Sequence, residues 1–600
     1  MNLKTSLEMG KDISKPEQLI TEHIDIWTSA IRAKSTSGRG SSKKYELYGI
    51  SKLRELIFDL AVRGKLVPQN PDDEPASVLV KKMLTKKEKS IEEGTIKKGK
   101  PLPDILTNQM NFDTPTGWEW CILGEVCHVE RGGSPRPIKS YLTESDDGLN
   151  WIKISDTDQG GKYINQTVEK IRPEGLKKTR MVYPGDFLLT NSMSFGRPYI
   201  TNIEGCIHDG WLRINPPNEI NKNFLYLLLS SPYVYKIFKE SASGAVVQNL
   251  NSEKVRGLVF ALPPFDEQAV IAAKVDELML LCDQLEQQTE ASIEAHATLV
   301  EVLLATLTDS VDANELAQNW ARISEYFDSL FTTEQSIEAL KQTVLQLAVM
   351  GKLVSQNSDD EPASVLLEKI AEEKEQLIQE KKIKPRKALP PIEDEERLFD
   401  LPLGWEWCRL DDICDGITSG STPPKSSFID DTGIPYLKVY NIRNQKIDFE
   451  YQPQFIEEGY HSSSLKRSQL CPGDVIMNIV GPPLGKIAII PDTYPEWNCN
   501  QAIVMFRPFI SNLNKFIYTY LVSGMFLDKI ALIGTAGQDN ISVTKSRSIL
   551  LPTPPLAEQL RIVAKIDELM AICDQLKEKL QQSQETQVQL TDALVDRALG

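Results

Sequence analysis

The chain has 600 residues, 41% hydrophobic and 25% charged, which at roughly 100 to 200 residues per domain points to several folded domains. Its net charge of −17 argues against an indiscriminate polyanion binder. Nine cysteines without a Cys-x-x-Cys pair and only five histidines set aside a disulfide framework and a zinc ribbon. No uninterrupted apolar run approaches the roughly 18 residues that cross a bilayer, and Met1-Asn2-Leu3-Lys4-Thr5 opens no secretory signal, so a cytoplasmic protein is expected.

In chain order, Ile50 to Val62 shows apolar residues at helical spacing and stops at Gly64. A Glu/Lys-rich helical segment, Asp72 to Glu93, follows and is broken at Pro101 to Pro103. From about Asn111 to Leu262 short apolar runs such as Trp151 to Ile154 and Phe187 to Thr190 alternate with Gly, Pro, Asn and Asp and read as strands, with Phe224 to Leu229 helical. After Pro263-Pro264, Glu267 and Gln268 open a helix that no Gly or Pro interrupts for about 40 residues.

The same order then recurs. Leu60 to Leu79 matches Leu347 to Leu366 at 17 of 20 positions, 287 residues apart. Gly117-Trp-Glu-Trp-Cys121 returns as Gly404-Trp-Glu-Trp-Cys408, Pro184-Gly-Asp186 as Pro472-Gly-Asp474, and Pro263-Pro264-x-x-Glu267-Gln268 as Pro554-Pro555-x-x-Glu558-Gln559. Ile337 to Val349 and Asp359 to Lys382 repeat the short helices. Tyr436 to Tyr440 and Ala488 to Ile490 read as strands of the second copy, and Phe516 to Leu521 as its helix. Two long copies make a duplication rather than a solenoid.

Both long helices carry a seven-residue pattern. Ile271, Leu278, Leu285, Ser292 and Leu299 share one position, with Val275, Cys282, Thr289, His296 and Leu303 on the other. Ile562, Leu569, Leu576, Ser583 and Leu590 repeat it, with Ile566, Cys573, Leu580, Gln587 and Leu594. The matched polar level predicts an antiparallel coiled coil between the two helices, each roughly 55 to 60 Å long at about 1.5 Å per residue.

Charge is unevenly spread. Residues 266–340 hold 16 acidic and 2 basic side chains, while 110–260 hold 17 of each and 397–551 hold 14 basic and 16 acidic. The acidic helical stretch would repel phosphate and reads as a solvated face or a docking surface; the near-neutral mixed regions can present a DNA face wherever cations cluster.

Cations, amides and hydroxyls suited to phosphate or base edges fall in their Gly/Pro-rich turns. In the first they are Arg131, Ser134, Arg136, Lys139, Asn191, Ser192, Arg197, Gln248, Asn249 and Lys254. In the second they are Thr422, Lys425, Asn441, Arg443, Asn444, Lys466, Arg467, Asn478, Lys486, Gln538, Asn540, Lys545 and Arg547. Surface turns carry such residues without binding anything, so the set has to be sorted by tertiary structure. The Trp-Glu-Trp pairs read as packing elements. Enzyme motifs fail: Asn215-Pro-Pro-Asn218 lacks the aromatic residue of an amino-methyltransferase, Gly64-Lys65 and Gly351-Lys352 lack the rest of a phosphate loop, and no metal set assembles around Cys121, Cys127 and His128.

The ordered set of Gly-Trp-x-Trp motifs, the Gly132-Gly-Ser-Pro135 and Gly420-Ser-Thr-Pro423 turns, Pro-Gly-Asp turns, Pro-Pro-x-x-Glu-Gln helix starts and repeated Leu-Ala-Val-x-Gly-Lys-Leu-Val segments resembles the specificity subunit of type I restriction-modification systems over nearly the whole chain. The resemblance implies an α+β architecture with two small mixed α/β target-recognition domains separated by long antiparallel coiled-coil helices, in an internal pseudo-two-fold repeat. It divides the chain into an N-terminal helical arm and connector (1–109), recognition domain 1 (110–265), a central spacer helix (266–305), a helical connector (306–396), recognition domain 2 (397–555) and a C-terminal spacer helix (556–600). It implies a non-catalytic, DNA-binding subunit in which each recognition domain reads half of an asymmetric bipartite site, while Ile271, Leu278, Leu285, Leu299, Ile562, Leu569, Leu576 and Leu590 pair the spacer helices. The expected partners are double-stranded DNA, two modification subunits and restriction subunits. S-adenosylmethionine, ATP and Mg are expected in those partners and none here. A coiled-coil interaction scaffold without nucleic-acid recognition is the alternative from another class.

Overall fold

The computed structural model describes residues 18, 21–33, 45–94, 100–158, 161–191, 195–242, 250–430, 432–481, 483–530 and 540–599. In chain order the helices of the frame are α1 (Ile24–Ser29), α2 (Tyr48–Val62), α3 (Ala76–Glu92), α4 (Phe265–Asp309), α5 (Ala313–Glu325), α6 (Glu334–Val349), α7 (Ala363–Gln379) and α8 (Leu556–Leu599). The chain divides into two compact units, Met1–Ser292 with Ser583–Gly600, and Ile293–Gln582. Helix α4, with 45 residues, therefore starts in the first unit and ends in the second, and α8, with 44, does the reverse.

Each unit holds one mixed domain. In the first, a five-stranded sheet runs in the order His128–Arg131, Trp211–Asn215, Phe187–Thr190, Pro198–Thr201, Tyr163–Ile164, antiparallel except for the last pair. A second sheet runs Leu142–Thr143, Glu169–Ile171, Leu149–Ile152, Gly205–Ile207, Arg180–Val182. The second domain has a four-stranded sheet, Cys414–Ser419, Ile503–Pro508, Val475–Asn478, Ile487–Ile489. Its five-stranded partner runs Phe428–Ile429, Phe455–Ile456, Ile434–Leu437, Trp497–Cys499, Gln469–Leu470. The core strands are buried on both faces, as Phe187–Thr190 and Val475–Asn478 show, which is why they read as continuous apolar runs.

The repeated motifs converge on one joint per unit. Glu119–Ile122 pairs antiparallel with Val259–Leu262, and Glu406–Arg409 with Leu550–Thr553, so each Trp motif lies beside the start of a long helix. Trp118 Nε1 donates to Glu267 Oε2 at 3.0 Å and Gln69 Nε2 donates to Glu267 Oε1 at 3.3 Å. Trp405 and Gln356 treat Glu558 the same way, at 3.0 and 3.1 Å. The second tryptophans pack on phenylalanines, Trp120 on Phe112 at 4.9 Å and Trp407 on Phe399 at 5.2 Å between ring centroids.

The repeated Gly-Lys dipeptide is a helix-end device. Lys65 N bonds Leu60 O at 2.9 Å past Gly64 at φ 68°, and Lys352 N bonds Leu347 O at 2.8 Å past Gly351 at φ 71°, the hydrogen-bond pattern of a Schellman cap. A β-carbon at Gly64 would lie 2.4 Å from Pro115 Cγ, and one at Gly351 2.4 Å from Pro402 Cγ, so glycine is needed for space as well as for φ. The lysine side chains then reach the last carbonyls of the long helices: Lys65 Nζ donates to Leu599 O at 2.7 Å, and Lys352 Nζ to Thr308 O at 2.6 Å and Ser310 O at 2.9 Å. A cation at a helix C-terminus satisfies orphan acceptors and the dipole together.

The Pro-Gly-Asp turns are equally structural. Gly185 and Gly473 both sit at φ 93°, as the third residue of a type II turn requires. Asp186 pairs with Arg213 at 2.9 Å and Asp474 with Arg507 at 2.6 Å, tying each turn to a neighbouring strand.

The long-helix seam departs from the strict heptad. Ile271, Val275, Leu278, Cys282 and Leu285 are buried as expected. Beyond them Val300, Leu304 and Leu307 are buried, whereas Leu299 is 51% exposed. In α8, Ile562, Ile566, Cys573 and Leu594 are buried as expected and Leu569 and Leu576 half-buried, but Leu590 is only half-buried and Thr591 beside it is buried instead. Ser292 and Ser583 are both exposed, so no polar layer forms at that level. In α4 the inner face advances by one residue, from Leu299 and Leu303 to Val300 and Leu304, because a straight helix turns at 3.6 rather than 3.5 residues per turn and the mismatch accumulates over four heptads. Leu299 is thereby corrected from a seam residue to a surface one.

The shifted half of α4 belongs to a different core. Val300, Leu304 and Leu307 pack with Ile323 of α5, Ile337, Leu340 and Val344 of α6 and Cys573 of α8. By length and composition alone α4 is apolar enough to cross a membrane; Val300, Leu304 and Leu307 pack in the protein's own core, while most of that stretch is not buried.

Candidate nucleic-acid interface

Close backbone approach builds the first of the two glycine turns, Gly132-Gly133-Ser134-Pro135. Gly132 N bonds Trp211 O at 2.9 Å and Gly133 N bonds Ile207 O at 3.2 Å, and a β-carbon at Gly132 would lie 2.1 Å from His208 O. The turn closes on Asp209. Ser134 Oγ donates to Asp209 Oδ1 at 2.6 Å, Arg131 Nε to Asp209 O at 3.2 Å, and Asn191 Nδ2 to the same carbonyl at 2.7 Å. Arg136, 83% exposed, reaches Asp209 Oδ2 at 3.6 Å. The Ser134 hydrogen bond, helped by the charges of His208 and Arg131, holds the Asp209 carboxyl below its ordinary range, so an anion sits at the centre of the cations.

The second turn repeats the backbone with different chemistry. Gly420 N bonds Ile503 O at 2.9 Å and Ser421 N bonds Cys499 O at 3.0 Å; a β-carbon at Gly420 would lie 2.1 Å from Asn500 O. Thr422 Oγ1 donates to Gln501 Oε1 at 3.0 Å. Where the first domain presents a carboxylate, the second presents a neutral amide with two donors. Lys425 is exposed just beyond.

Tertiary structure sorts the remaining residues. Arg131, Lys139, Arg197, Arg443, Asn444, Lys466 and Arg467 are exposed, and Lys254, Lys486, Asn540 and Lys545 are partly so. Arg197 and Lys486 occupy matching hairpin positions, their backbone N–H groups held by Thr190 Oγ1 at 2.9 Å and Asn478 Oδ1 at 2.7 Å. Ser192, Gln248, Asn249 and Gln538 lie outside the described residues.

Four expectations are corrected. Asn191 is buried against the Asp209 carbonyl. Asn441 is buried, its Nδ2 donating to Tyr451 O at 2.8 Å and its Oδ1 accepting from Lys438 N at 2.9 Å. Asn478 is fully buried, spanning Val480 O, Pro483 O and Lys486 N. Arg547 makes two bonds of 2.8 Å to Asp411, itself buried. These groups are committed inside the protein, where losing an internal partner costs more than an exposed contact returns, so they set loops rather than face a ligand.

Sequence reasoning missed Asp209, Gln501 and Gln445. The first two are equivalent only once the sheets are superimposed in register, because the offset between the copies drifts through this region. Among the described residues no cluster of His, Cys, Asp or Glu could hold a metal. Burial pushes the Cys127 and Cys408 thiols up to about 12, so they pack as neutral groups.

The family described as "Type I restriction modification DNA specificity domain" matches residues 115–295 and 402–585. The type I restriction enzyme EcoEI specificity subunit of Escherichia coli is 39% identical over 611 residues, covering 97% of this chain and 100% of the relative. The EcoAI specificity subunit of the same organism is 38% identical over 613 residues, with 97% and 100% covered. Among solved structures, the chain is similar to one described as "Structural basis underlying complex assembly and conformational transition of the type I R-M system", at 19% identity and a TM-score of 0.47, covering 81% of this chain and 99% of that one. It is also similar to the HsdS subunit from Thermoanaerobacter tengcongensis, at 19% identity and a TM-score of 0.38, with 82% and 99% covered.

Proposed function

The chain belongs to the DNA specificity subunits of type I restriction-modification systems, and from that premise we propose that its two target-recognition domains each read one half of an asymmetric, gapped site on double-stranded DNA. A specificity subunit is the non-catalytic member of its enzyme, and the cofactors reside in the modification and restriction subunits. On this reading two modification subunits carrying S-adenosylmethionine dock on the paired long helices, restriction subunits using ATP and Mg join them, and the whole works in the cytoplasm beside its DNA. Residues 110–265 and 397–555 are the readers, and 266–305 and 556–600 the spacer.

The observation that carries the reading is sameness of frame with difference of face. Trp118, Glu267 and Gln69 make the same joint as Trp405, Glu558 and Gln356. The turns on the reading side differ, with Ser134 on Asp209 in one and Thr422 on Gln501 in the other. Two readers of different chemistry on one duplicated frame suit an asymmetric site. Within the second unit the C-terminal part of α4 and the N-terminal part of α8 share one core, which supports the antiparallel pairing that a spacer would need.

The test is to express the chain with its modification subunit and map methylated adenines across the host genome at single-base resolution. One asymmetric motif with a fixed gap is expected. A continuous or palindromic motif would overturn the two-reader proposal, as would a stable complex that methylates without sequence preference.

A further inference from the structure

The second recognition domain carries backbone strain concentrated in one loop. Among the described residues the non-glycine residues at positive φ are Lys381, Asn444 at 49°, Gln445 at 57° and Gln452 at 54°. Three of these four fall within nine residues of each other. Asn444 and Gln445 form the two-residue turn between Ile442–Arg443 and Lys446–Ile447, which pair antiparallel as Ile442 with Ile447 and Arg443 with Lys446. Positive φ at both turn residues is the type I′ geometry of a tight hairpin, where asparagine is at home in the first place and glycine in the second. Glutamine in the second place is strained, and such strain persists only where the surroundings enforce it.

The enforcement is visible. Gln445 Nε2 donates to Gly485 O at 3.2 Å, its Oε1 accepts from Ile487 N at 2.7 Å, and its backbone O accepts from Tyr518 Oη at 2.9 Å. A glycine would relieve the strain and lose the two side-chain bonds. The hairpin is thus anchored to the neighbouring sheet by the residue that suits its turn least.

What the anchor holds out is a set of readers. Arg443, Asn444 and Lys446 are exposed. The Arg443 guanidinium lies 4.2 Å over the Tyr451 ring and its Nε is 3.1 Å from Asp448 Oδ2, which fixes the plane of the group through its inner nitrogen. Tyr440 meets Tyr451 edge-on at 6.1 Å, with Lys438 Nζ 5.9 Å from the Tyr440 ring centre. Exposed cations on a short two-stranded ribbon, flanked by the Tyr440 and Tyr451 rings, match the major groove, which admits such a ribbon and offers guanine O6 and N7 to an arginine.

We propose that the hairpin Ile442 to Ile447 is a pre-formed base-reading element of the second domain, in which Arg443 reads a guanine, Asn444 contacts the adjoining base pair, and Gln445 is the positioning residue that sets both. The proposal rests on the two-reader function above and assigns one half-site position to one arginine. A phosphate contact by Arg443 is the competing role, and it makes a different prediction, because phosphate contacts carry no base identity.

The experiment uses the full chain in complex with its modification subunit and reads the base composition of methylated sites. Four forms are compared: wild type, Arg443→Lys, Arg443→Ala and Gln445→Gly, each checked for complex assembly and melting temperature. A wild type without any gapped motif would sink the two-reader function itself. Given a wild-type motif, Arg443→Ala should lose preference for one guanine in a single half-site, by roughly 5- to 150-fold, and Arg443→Lys, which keeps the charge but not the planar fork, should lose part of it at the same position, both leaving the other half-site as it was. Gln445→Gly, which keeps the turn, should weaken the preference at the same position and its neighbour. The proposal fails if the assembled variants keep the wild-type motif, if Arg443→Lys behaves as wild type while Arg443→Ala only lowers methylation at all sites alike, or if the relaxed position lies in the other half-site.

Discussion

Trp118 donates its indole N–H to Glu267 at 3.0 Å, and 287 residues on Trp405 makes the same bond to Glu558 at the same distance. Both tryptophans are buried, at 6% and 5% exposure. Both glutamates also accept from a glutamine that follows the Schellman-capped helix of their own unit. One carboxylate therefore ties the short helix, the recognition domain and the long helix together. Trp118→Phe keeps most of the packing and removes the donor, leaving a buried carboxylate oxygen short of a partner. It should destabilise the protein by about 1–3 kcal/mol, and Trp405→Phe by a similar amount. Denaturant unfolding measures both, and an unchanged midpoint would mean that packing alone holds the joint.

The same carboxylates give the joint a pH dependence of stated sign. Burial raises Glu267 and Glu558 above the ordinary 4.5, outweighing the hydrogen bonds that pull the other way. The folded state then holds these protons more tightly than the unfolded chain, so their favourable contribution is full below 4.5 and is lost as pH rises through the elevated folded values. Asp411 acts oppositely: despite burial, the Arg547 hydrogen bond and charge hold it below 3.8, and its contribution is lost as pH falls through that lowered value. Unfolding free energy measured from about pH 4 to 7 should fall less steeply with rising pH in the Glu267→Gln, Glu558→Gln double variant than in the wild type. Parallel profiles would contradict the assignment.

The shifted seam separates two leucines that a heptad treats alike. Leu285, 5% exposed, should cost roughly 2–5 kcal/mol when replaced by alanine. Leu299, 51% exposed, should cost no more than about 0.5 kcal/mol. Equal losses on thermal or denaturant unfolding would restore the strict heptad.

Arginines and lysines on the recognition domains differ in the same way. Arg547→Ala leaves the buried Asp411 with one fewer partner and should destabilise the chain by about 1–3 kcal/mol. Replacing the exposed Lys425, Lys466 and Arg467 by alanine should leave stability within about 0.5 kcal/mol. In the assembled complex it should reduce the slope of log affinity against log salt by about 0.9 for each phosphate that is no longer neutralised. An unchanged slope would remove these three from the DNA face.

If α4 and α8 act as a spacer, inserting about four residues, one helical turn, into α4 should lengthen the preferred gap between half-sites in the methylation motif. The half-site bases should stay the same. An unchanged gap in an assembled, active complex would exclude the spacer role.

Much of this protein was legible in its residues. The duplication, the two long helices and the positions of the mixed domains follow from motif spacing, since Gly-Lys, Trp-Glu-Trp, Pro-Gly-Asp and Pro-Pro-x-x-Glu-Gln each answer to a local need of the backbone: a positive φ, a turn, a helix start, a cap. Such needs are written within a few residues of where they are met, and the copies repeat them almost unchanged. The family resemblance came from the same residues.

What the sequence could not decide depends on partners far along the chain. Arg547 and Lys425 look alike until Asp411, 136 residues away, takes one of them. Asn441 and Asn444 are near neighbours with the same amide, yet one is buried as a loop brace and the other exposed on a strained turn. Leu299 obeys the heptad in the sequence and leaves the seam in space, because small per-turn differences accumulate along a long helix until another core captures the inner face. Local hydrogen-bond and dihedral requirements fix the elements and the frame, whereas burial and long-range pairing choose which polar groups stay exposed, and only the folded chain brings those partners together.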